Sequence, residues 1–424
     1  MHSLGSLPFA NSYARLDPAF YEVVDPTPIP EPYLVAFNPD AAALIDLDPA
    51  ERSTPAFLEY LGGARRLPGS EPIAQIYAGH QFGVWVPQLG DGRAILLGEV
   101  TRPAGDSWDL QLKGAGPTRF SRRGDGRSVL RSAIREYLAS EALHGLGIPT
   151  TRALAIVGSD LPVYRVRPET AATLLRMAPS HVRFGTFQLF ASRGQEDRVR
   201  ELADYVVARH FPELGTTPQR YRHFFGEVCR RTARLMARWM AAGFAHGVMN
   251  SDNMSILGIT LDYGPYGFLD RYDAGFICNH TDSEGRYAFD QQPMVGMWNC
   301  ARLGEALFSL ITPEEAQAEL DTYWKAFEVE YAGLMRAKLG LTTEAPDDGA
   351  LVRDLLALLQ VAGSDFTNFF RGLGSLATVG SDDAWDGWTA RYLARLRLEG
   401  NNAAERQRRM ARANPKFVLR NWIA

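Results

Sequence analysis

The chain has 424 residues, a formal net charge of −4 and a hydrophobic content of 46%. This composition excludes a disordered or collagen-like chain, and the small negative charge argues against a general nucleic-acid binder. Only four of its 45 Lys and Arg residues are lysines, namely Lys113, Lys325, Lys338 and Lys416. Genomic base composition accounts for such a bias, but a retained lysine is then a candidate for chemistry that a guanidinium performs less well.

The cysteines and the apolar runs define the expected compartment. Cys229, Cys278 and Cys300 are far apart and show no ligand spacing, so neither a zinc site nor a disulfide scaffold is predicted. The N-terminus lacks the basic region and apolar core of a secretory signal, and no apolar run approaches the ~20 residues of a membrane-spanning helix. We therefore expect a soluble cytoplasmic protein without a membrane partner.

In chain order, the first predicted elements are an extended segment and two strands. Four prolines alternate through 26–32, which favours an extended stretch that wraps a surface. Residues 93–100 and 107–114 are short apolar runs between Gly, Pro and Asp turns, so both are predicted as strands. Alternation along the second strand places three polar side chains on one face: Asp109, Gln111 and Lys113.

The following elements are predicted to be mostly helical. A helix is expected over 128–145 and further short strands within 150–177. The apolar stripe of this helix comprises Leu130, Ile134, Tyr137 and Leu138, and Glu136 lies off it. The clearest helix covers 219–243, and a Gly- and Asn-rich stretch of short paired strands and loops follows it. Beyond 290 the chain is predicted to be helical, with a break at 342–350.

These elements predict an α+β fold in three parts. Residues 1–72 would form an N-terminal extension, residues 73–180 a strand-rich lobe, and residues 181–424 a mostly helical lobe. A change from strand-rich to helix-rich sequence along one chain is typical of folds that segregate sheet and helices.

Two features near the predicted strands suggest a phosphate site. In "QLGDGR" (88–93), Gly90 and Gly92 would let backbone N–H groups approach a phosphate, although an isolated LGDG is more often a hairpin turn. Lys113 precedes Glu136 on the predicted helix by 23 residues. An ammonium can hold α- and β-phosphate oxygens while a helix carboxylate orients it. The alternative is a surface lysine on an edge strand.

The stretches "HGVMNSDN" and "LDYG" have the order of a kinase catalytic loop and its metal-binding motif. His246 takes the His position, Asn253 the Asn position and Asp262 the metal-binding Asp position. Val248 stands where a kinase has its catalytic Asp and cannot accept a proton, but Asp252 supplies a carboxylate beside the Asn. Each stretch alone would be a turn. Together, downstream of the strand lysine, they favour a nucleotide and Mg²⁺ site.

Two arginines interrupt the apolar stretch "LLRMAPSHVRFG" (174–185). Arg176 and Arg183 could grip phosphate oxygens bidentately. The alternative for one of them is an ion pair with a neighbouring carboxylate such as Glu169. His181 is predicted to be a structural hydrogen-bonding residue, because no His or Cys partner is spaced for a metal.

Five blocks of the sequence resemble a known family. They are "YAGHQFGVWVPQLGDGRAILLGEV", "WDLQLKGAGPTRFSRRGDGRSVLRSAIREYL", "SHVRFGTFQ", "HGVMNSDNMSILGITLDYGPYGFLD" and "NPKFVLRNWIA". They look like the signature blocks of the selenoprotein O (YdiU) family, and the likeness runs from about residue 9 to the C-terminus.

This resemblance implies a kinase-like fold with two lobes that lacks the kinase catalytic aspartate. It also implies a protein adenylyltransferase that binds ATP in a flipped orientation. Such an enzyme transfers AMP, and in bacterial members also UMP, to Ser, Thr or Tyr hydroxyls of proteins. ATP and Mg²⁺ or Mn²⁺ would be needed, and the partners would be protein substrates rather than nucleic acid.

The resemblance also implies roles for individual residues. The nucleotide-binding residues would be Gly90, Gly92, Arg93, Lys113 with its partner Glu136, Asp125, Gly126, Arg176, Arg183 and Asp262. The metal ligands would be Asn253 and Asp262. The proton acceptor would be Asp252.

One feature that the resemblance implies does not match this sequence. Family members commonly continue into a tail with a C-terminal cysteine or selenocysteine. In some bacterial members that tail forms a disulfide with the cysteine of "FICNH". Cys278 occupies that position here, but no cysteine follows Cys300 in the 424 residues. We therefore expect no redox control through such a bridge.

Three functions stay open at the level of the sequence. Transfer of AMP from ATP to a protein hydroxyl is the leading hypothesis. A conventional phosphotransferase would use the same lysine and metal ligands, but Val248 argues against it. A catalytically inactive nucleotide-binding scaffold is the third, and it would not need the two metal ligands Asn253 and Asp262.

Overall fold

The computed structural model describes residues 1–102, 105–400 and 402–423 of the chain. These residues form two compact units. The first comprises Met1–Phe225, Asn250–Tyr263 and Ala301–Ala316, and the second comprises Gly226–Met249, Gly264–Cys300 and Gln317–Ala424. The boundaries expected after residues 72 and 180 stay predictions, and Ala424 of the "NPKFVLRNWIA" block lies outside the described residues.

The described residues contain eleven strands, and all the pairings among them are antiparallel. The strands are β1 (Tyr21–Val23), β2 (Tyr33–Phe37), β3 (Ile73–Gln81), β4 (Val84–Gly90), β5 (Ala94–Thr101), β6 (Ser107–Lys113), β7 (Ser128–Val129), β8 (Arg152–Tyr164), β9 (Pro168–Ala178), β10 (Phe244–Ala245) and β11 (Gly267–Phe268). Nine of them form one sheet in the order β1-β3-β5-β6-β9-β8-β2, with β4 paired to β3 and β7 to β9. The other two pair with each other in the second unit.

Thirteen α-helices complete the described secondary structure, apart from short 3₁₀ turns. They are α1 (Pro39–Ala43), α2 (Pro55–Leu61), α3 (Leu130–Gly145), α4 (Phe184–Ser192), α5 (Glu196–His210), α6 (Arg220–Ala242), α7 (Gln292–Ala306), α8 (Pro313–Leu320), α9 (Thr322–Leu339), α10 (Asp348–Ala362), α11 (Phe366–Gly372), α12 (Asp383–Arg397) and α13 (Ala403–Ala413). The α+β class is therefore confirmed. Within the described ranges, no helix has the length and apolarity that crossing a membrane requires.

The central strands match the prediction, and the later hairpin is longer than expected. β5 and β6 fall where strands were predicted, and Ala94 pairs with Lys113 across them. The short strands expected within 150–177 are instead the long hairpin β8–β9. Its central residues are buried on both faces, which explains why they read as short apolar runs rather than an alternating pattern.

The N-terminal segment packs against the sheet and also forms part of it. It contributes β1 and β2, which the sequence analysis did not predict. The proline-rich stretch between them is held by backbone contacts, for example Thr27 N donating to Ala115 O at 2.8 Å and Ile29 N donating to Gly62 O at 2.9 Å. Leu4, Leu7 and Ile29 are buried in the same hydrophobic core as residues of the sheet.

α3 begins within two residues of the predicted position, and its predicted stripe is confirmed in part, since Leu130, Ile134 and Tyr137 are half-buried and pack against the core beneath the helix. The buried residues are Ala133, Glu136, Ala139, Ser140 and Leu143. Leu138 of the predicted stripe is 39% exposed. Small alanines let the helix pack closely on Ile156 and Leu174 of the sheet. Glu136 tolerates burial because it is ion-paired, and this pairing defines the site below.

The helical part of the chain agrees with its predictions. α6 covers the predicted 219–243, and its apolar stripe, for example Phe224, Val228 and Met236, is fully buried. The Gly- and Asn-rich stretch after it contains the short pair β10–β11 and loops, and α9 ends just before the predicted break. Leu355, Phe370 and Trp388 lie in the core of the second unit.

Candidate functional site

The site is built around Lys113, the last residue of β6. Its Nζ donates to Glu136 Oε2 on α3 and lies 3.5 Å from Asp262 Oδ1. The side chains of Lys113 and Glu136 are 9% and 3% exposed. Burial lowers the pKa of Lys113, and Glu136 opposes that effect by favouring the charged ammonium. Strand and helix therefore hold a buried ion pair whose ammonium also faces a second carboxylate.

Arg176 and Arg183 hold that second carboxylate from two sides. Arg176 Nη1 donates to Asp262 Oδ1 and, at 2.9 Å, to Glu136 Oε1. Arg183 Nη1 donates to Asp262 Oδ2 and, at 2.8 Å, to the backbone carbonyl of Asp252. Burial would raise the pKa of Asp262, but Arg176, Arg183 and Lys113 outweigh it and hold the pKa well below its usual range.

Asp262 is positioned by an unusual backbone conformation. Its φ is +55°, in the left-handed region that non-glycine residues rarely occupy. Residues held in this region concentrate at functional sites, where surrounding contacts over-determine the conformation. The three cationic side chains around the carboxylate supply those contacts here.

A hydrogen-bonded chain from the glycine turn supports Arg176, and the sequence analysis did not find it. Gln111 on β6 accepts from Arg176 Nε at 2.8 Å and donates to Asp91 Oδ2 at 3.0 Å. Tyr77 OH donates to Asp91 Oδ1 at 3.2 Å, and the guanidinium of Arg183 lies 4.9 Å from the Tyr77 ring centroid. Burial raises the pKa of Asp91, although Arg183 and Arg176 oppose the shift. The sequence could have indicated Gln111, because it shares a strand face with Lys113.

The "QLGDGR" glycines allow close packing between this turn and the following loop. A Cβ on Gly90 would clash with the Phe120 ring, and one on Gly92 would come 2.8 Å from Phe120 O. The turn joins β4 to β5, and Arg93 O accepts from Gly114 N at 2.6 Å, next to the strand lysine. The Arg93 side chain itself is exposed. The turn thus lies at the end of β6 that carries Lys113.

Asp125 and Gly126 lie in the loop that packs on this turn. Asp125 forms a bidentate ion pair with Arg165, at 2.8 and 2.9 Å. Gly126 has a φ of +66° and lies against Gly116 too closely for any side chain. The described contacts therefore connect these two residues to the loop and to the β8–β9 turn. Among the described residues, no contact connects Asp125 or Gly126 to the cluster around Asp262.

Asp252 is buried in a 3₁₀ turn, Ser251–Asn253, that packs on β3. A Cβ on Gly79 would come 2.8 Å from Asp252 Oδ1, so only glycine fits at that point of the strand. Gln81 Nε2 donates to Asp252 Oδ2 at 3.3 Å. Asp252 Oδ1 is buried and has no hydrogen-bond partner within the described ranges. Burial raises the pKa of Asp252 to about 6, while Arg183 and Gln81 oppose the rise.

The oxygen donors near Asp252 suit a hard cation. Asn253 is half-buried beside it, and Asp262 offers a second carboxylate. Among the described residues, no three His, Cys, Asp or Glu side chains form a complete metal cage. Mg²⁺ commonly takes one or two protein oxygen ligands and completes its shell with water and substrate phosphates. The amide of Asn253 and the carboxylate of Asp262 supply oxygen donors of this kind, so the small donor set fits such an ion.

Two further predictions concern residues outside the cluster. His181 is fully buried, and its backbone N donates to Asp109 Oδ2 at 2.9 Å, so its expected structural role agrees with the contacts. Glu169, considered as a partner for Arg176 or Arg183, pairs with Arg131 at 3.1 Å instead. Both arginines turn inward because β9 and the segment before α4 direct them to Glu136 and Asp262.

The kinase-like His position has a packing role in the second unit. His246 stacks on Trp239 with ring centroids 5.2 Å apart, and its N donates to Gln292 Oε1 at 2.9 Å. Cys229, Cys278 and Cys300 are all free thiols.

Comparison with known proteins places the whole chain among nucleotidyltransferases. Residues 3–424 match the family model described as "Protein adenylyltransferase SelO". The chain is 57% identical over 436 positions to the "Protein nucleotidyltransferase YdiU" of Myxococcus xanthus (strain DK1622), and 56% identical over 440 positions to that of Thioalkalivibrio sulfidiphilus (strain HL-EbGR7). The protein of the same name from Thiobacillus denitrificans is 54% identical over 438 positions. Each alignment covers 100% of this chain and 89% of the relative.

The chain belongs to the SelO family. The resemblance found in the sequence blocks is therefore confirmed, and so is the enzyme class, since this is a family of nucleotidyltransferases.

Proposed function

We propose that this protein transfers AMP from ATP, or UMP from UTP, to a Ser, Thr or Tyr hydroxyl of a protein and releases pyrophosphate. The observation that carries the proposal is the buried cluster of Lys113, Arg176 and Arg183 beside two carboxylates, Asp252 and Asp262. The family description supports adenylyl transfer to protein. The kinase-like arrangement of two lobes is part of the same proposal, and the pair between a strand lysine and a helix glutamate supports it.

The charge of the cluster favours the phosphate chain of a nucleotide. Three cationic side chains converge on Glu136 and Asp262 in a largely buried setting. Arg183 Nε is a buried donor without an acceptor among the described residues, and such a donor in a cationic pocket suits an anion. Gly90, Gly92, Arg93, Asp125 and Gly126 would hold the rest of the nucleotide through the turn and loop.

The orientation of the nucleotide decides which phosphorus reacts. If the buried cations hold the β- and γ-phosphates, the α-phosphorus faces the acceptor and pyrophosphate is the leaving group. The cations then stabilise the charge that develops on pyrophosphate as the α–β bridging bond breaks. A γ-phosphoryl transfer would require the opposite orientation, with the γ-phosphorus facing the acceptor.

Asp252 would accept the proton of the attacking hydroxyl. The hydroxyl oxygen forms a bond to the α-phosphorus, its proton passes to Asp252 Oδ1, and pyrophosphate leaves with the electron pair of the broken bond. A carboxylate with a pKa of about 6 is largely ionised at neutral pH and is still a usable base. Gly79 and Gln81 fix its position, and Arg183 binds its backbone carbonyl.

Asn253 and Asp262 would hold Mg²⁺ or Mn²⁺. When bound, the ion supplies charge neutralisation on the phosphate oxygens. Arg176 and Arg183 orient the Asp262 carboxylate. Its Oδ1 faces both Arg176 and Lys113, whereas Oδ2 accepts from Arg183 alone and keeps a lone pair. Arg176 and Arg183 therefore hold Asp262, the proposed metal ligand, in place before any nucleotide binds.

The experiment that tests the proposal is intact-mass analysis of a protein acceptor, or of the enzyme itself, after incubation with MgATP. Addition of the mass of AMP is the expected result. Addition of a phosphate would indicate a conventional phosphotransferase. Tight nucleotide binding by thermal shift, with no product of either mass, would indicate an inactive scaffold.

A further inference from the structure

An exposed basic surface of the first unit lies beside the glycine turn. It consists of residues 117–127 and 164–169, and we call it the arginine surface. Its exposed cations are Arg119, Arg122, Arg123, Arg165 and Arg167. The carboxylates within these two segments are Asp125 and Glu169, which are already paired with Arg165 and Arg131. Glu22 of β1 also reaches the loop, where it accepts from the backbone N of Arg119 at 2.8 Å. The chain as a whole carries a charge of −4, so this local excess of positive charge runs against the composition.

The two segments form one surface. Besides binding Asp125, Arg165 Nη2 donates to the backbone carbonyl of Arg127 at 2.9 Å. Arg127 in turn is buried, and its guanidinium donates to Thr27 O and Pro28 O at 2.8 and 2.9 Å. The loop and the β8–β9 turn are therefore fixed to each other and to the N-terminal segment.

The guanidinium groups of the other exposed arginines take no part in this hydrogen-bonded framework. Within the ranges that the structure describes, no carboxylate lies within ion-pair distance of Arg119, Arg122, Arg123 or Arg167. Arg122 also has a φ of +55°, in the left-handed region. By contrast, the buried Arg176 and Arg183 each form an ion pair with Asp262. Exposed, unmatched guanidinium groups on a fixed scaffold are suited to an anionic partner from solution.

The arginine surface adjoins the residues proposed to bind the nucleotide. Thr118 Oγ1 donates to Asp91 O at 2.8 Å, and Ser121 Oγ donates to Gly92 O. Any partner bound to the arginine surface would therefore lie against the loop that carries Asp125. A docking surface next to the nucleotide would position an acceptor for transfer.

The chemistry of the surface favours a protein over a nucleic acid. Tyr164 and Val166 alternate with Arg165 and Arg167 at the tip of the β8–β9 turn, and they are 74% and 106% exposed. Tyr and Arg are the residues that interface centres use most. A chain with a net negative charge repels a nucleic-acid polyanion at long range, whereas a short acidic peptide is affected mainly by the local cations.

We propose that the arginine surface docks an acidic segment of the protein substrate, with an apolar residue of that segment against Tyr164 and Val166. This proposal rests on the proposed function for the identity of the partner as a substrate. The docking itself is a binding event, and it is measurable without transfer.

The first test is binding of dye-labelled serine peptides in the absence of ATP, measured by fluorescence anisotropy. The peptide flanked by glutamates should bind better than its glutamine-flanked match. R123Q/R167Q should raise the Kd for the acidic peptide roughly fivefold, because each exposed charge contact contributes modestly. The control R408Q/R412Q makes the same charge change at two exposed arginines of α13 and should leave the Kd unchanged.

Charge reversal gives an independent test. R123E/R167E should prefer a lysine-flanked peptide to the glutamate-flanked one. If R123Q/R167Q and R123E/R167E both bind the acidic peptide as the unmodified protein does, the proposal is wrong. It is equally wrong if a DNA oligonucleotide of the same charge binds more tightly and displaces the peptide.

Transfer assays then separate this proposal from the proposed function. With MgATP, the acidic peptide should show a lower KM than the glutamine-flanked peptide, and R123Q/R167Q should remove that difference. Equal KM values in the unmodified protein would overturn the docking role. If acidic peptides bind as expected but no peptide or protein ever gains AMP, the proposed function fails while the docking surface stands.

Discussion

Gly79 lies against Asp252 so closely that a Cβ at this position would come 2.8 Å from the Asp252 Oδ1 atom. The same Cβ would lie 2.9 Å from Asp252 Cβ and 3.0 Å from its N, so both the side chain and the backbone of the turn are in contact with the strand. β3 therefore sets the position of the carboxylate proposed as the base.

Gly79→Ala should displace Asp252 and reduce transfer. A misplacement of about 1 Å at a reacting group can cost about 10²-fold in rate, so we expect a loss of that order in kcat with little change in nucleotide affinity. The matched control is Gly145→Ala at the end of α3, where a Cβ would meet nothing within 4 Å. Equal activity of the two variants would show that β3 does not position Asp252.

Lys113→Arg should lose most of the activity even though it keeps the charge. The Lys113 ammonium reaches Glu136 and Asp262 in a space bounded by Arg176. A planar guanidinium there would displace that arginine. Lys113→Met should lose about 10²-fold in kcat, the usual effect of removing one donor to a developing charge. Steady-state kinetics with full activity in Lys113→Arg would contradict a specific role for the ammonium.

Asp252→Ala and Asp262→Ala should separate chemistry from binding. Asp252→Ala should bind MgATP normally and lose transfer by about 10²–10⁴-fold, because it removes a proton acceptor. Asp262→Ala should weaken MgATP binding itself, since it removes a metal ligand and leaves Arg176 and Arg183 without their shared carboxylate. Calorimetric titration with MgATP distinguishes the two, and identical binding defects would refute the assignment of separate roles.

Much of this cluster was predictable because it follows from local periodicity. The strand alternation placed Lys113 and Gln111 on one face, and the helical spacing separated Glu136 from the apolar stripe. Asp109 was predicted to lie on a strand and His181 to have a structural role. The two residues are joined by a buried hydrogen bond. Predictions of this kind need only the direction of a side chain along its own element.

The remainder depends on tertiary contacts that no local pattern encodes. Asp91 is indistinguishable in sequence from a hairpin turn residue, and only its contacts with Gln111 and Tyr77 reveal a supporting role. The burial of Glu136 could not be predicted from its own helix, because Arg176, which pairs with it, lies on β9. Gly79 left a signal, because a glycine inside a strand often marks the close approach of another segment.

Lys338 is the second buried lysine, and it makes stability depend on pH. Its Nζ lies 4.5 Å from the Phe370 ring centroid and 5.4 Å from that of Phe366. Burial lowers its pKa to about 7. Between pH 7 and its ordinary pKa the unfolded chain binds the extra proton, so this group makes the free energy of unfolding rise with pH across that range.

Lys338→Met should flatten that rise by up to about 1.4 kcal/mol per pH unit between pH 7 and 9. Urea unfolding of the unmodified protein and the variant at both pH values measures the difference. Lys325→Met, at an exposed position of the same helix, is the control and should leave the slope as it is. An unchanged slope in Lys338→Met would show that the buried amine does not titrate there.

The most direct test of the account is transfer of label from ATP carrying radioactive phosphorus at either the α or the γ position. The enzyme is incubated with an acceptor protein, and protein-bound label is measured after separation from nucleotide. The account predicts that α-labelled ATP labels protein and γ-labelled ATP does not, with both signals absent in Asp252→Ala. Label from the γ position, with none from the α position, would contradict it.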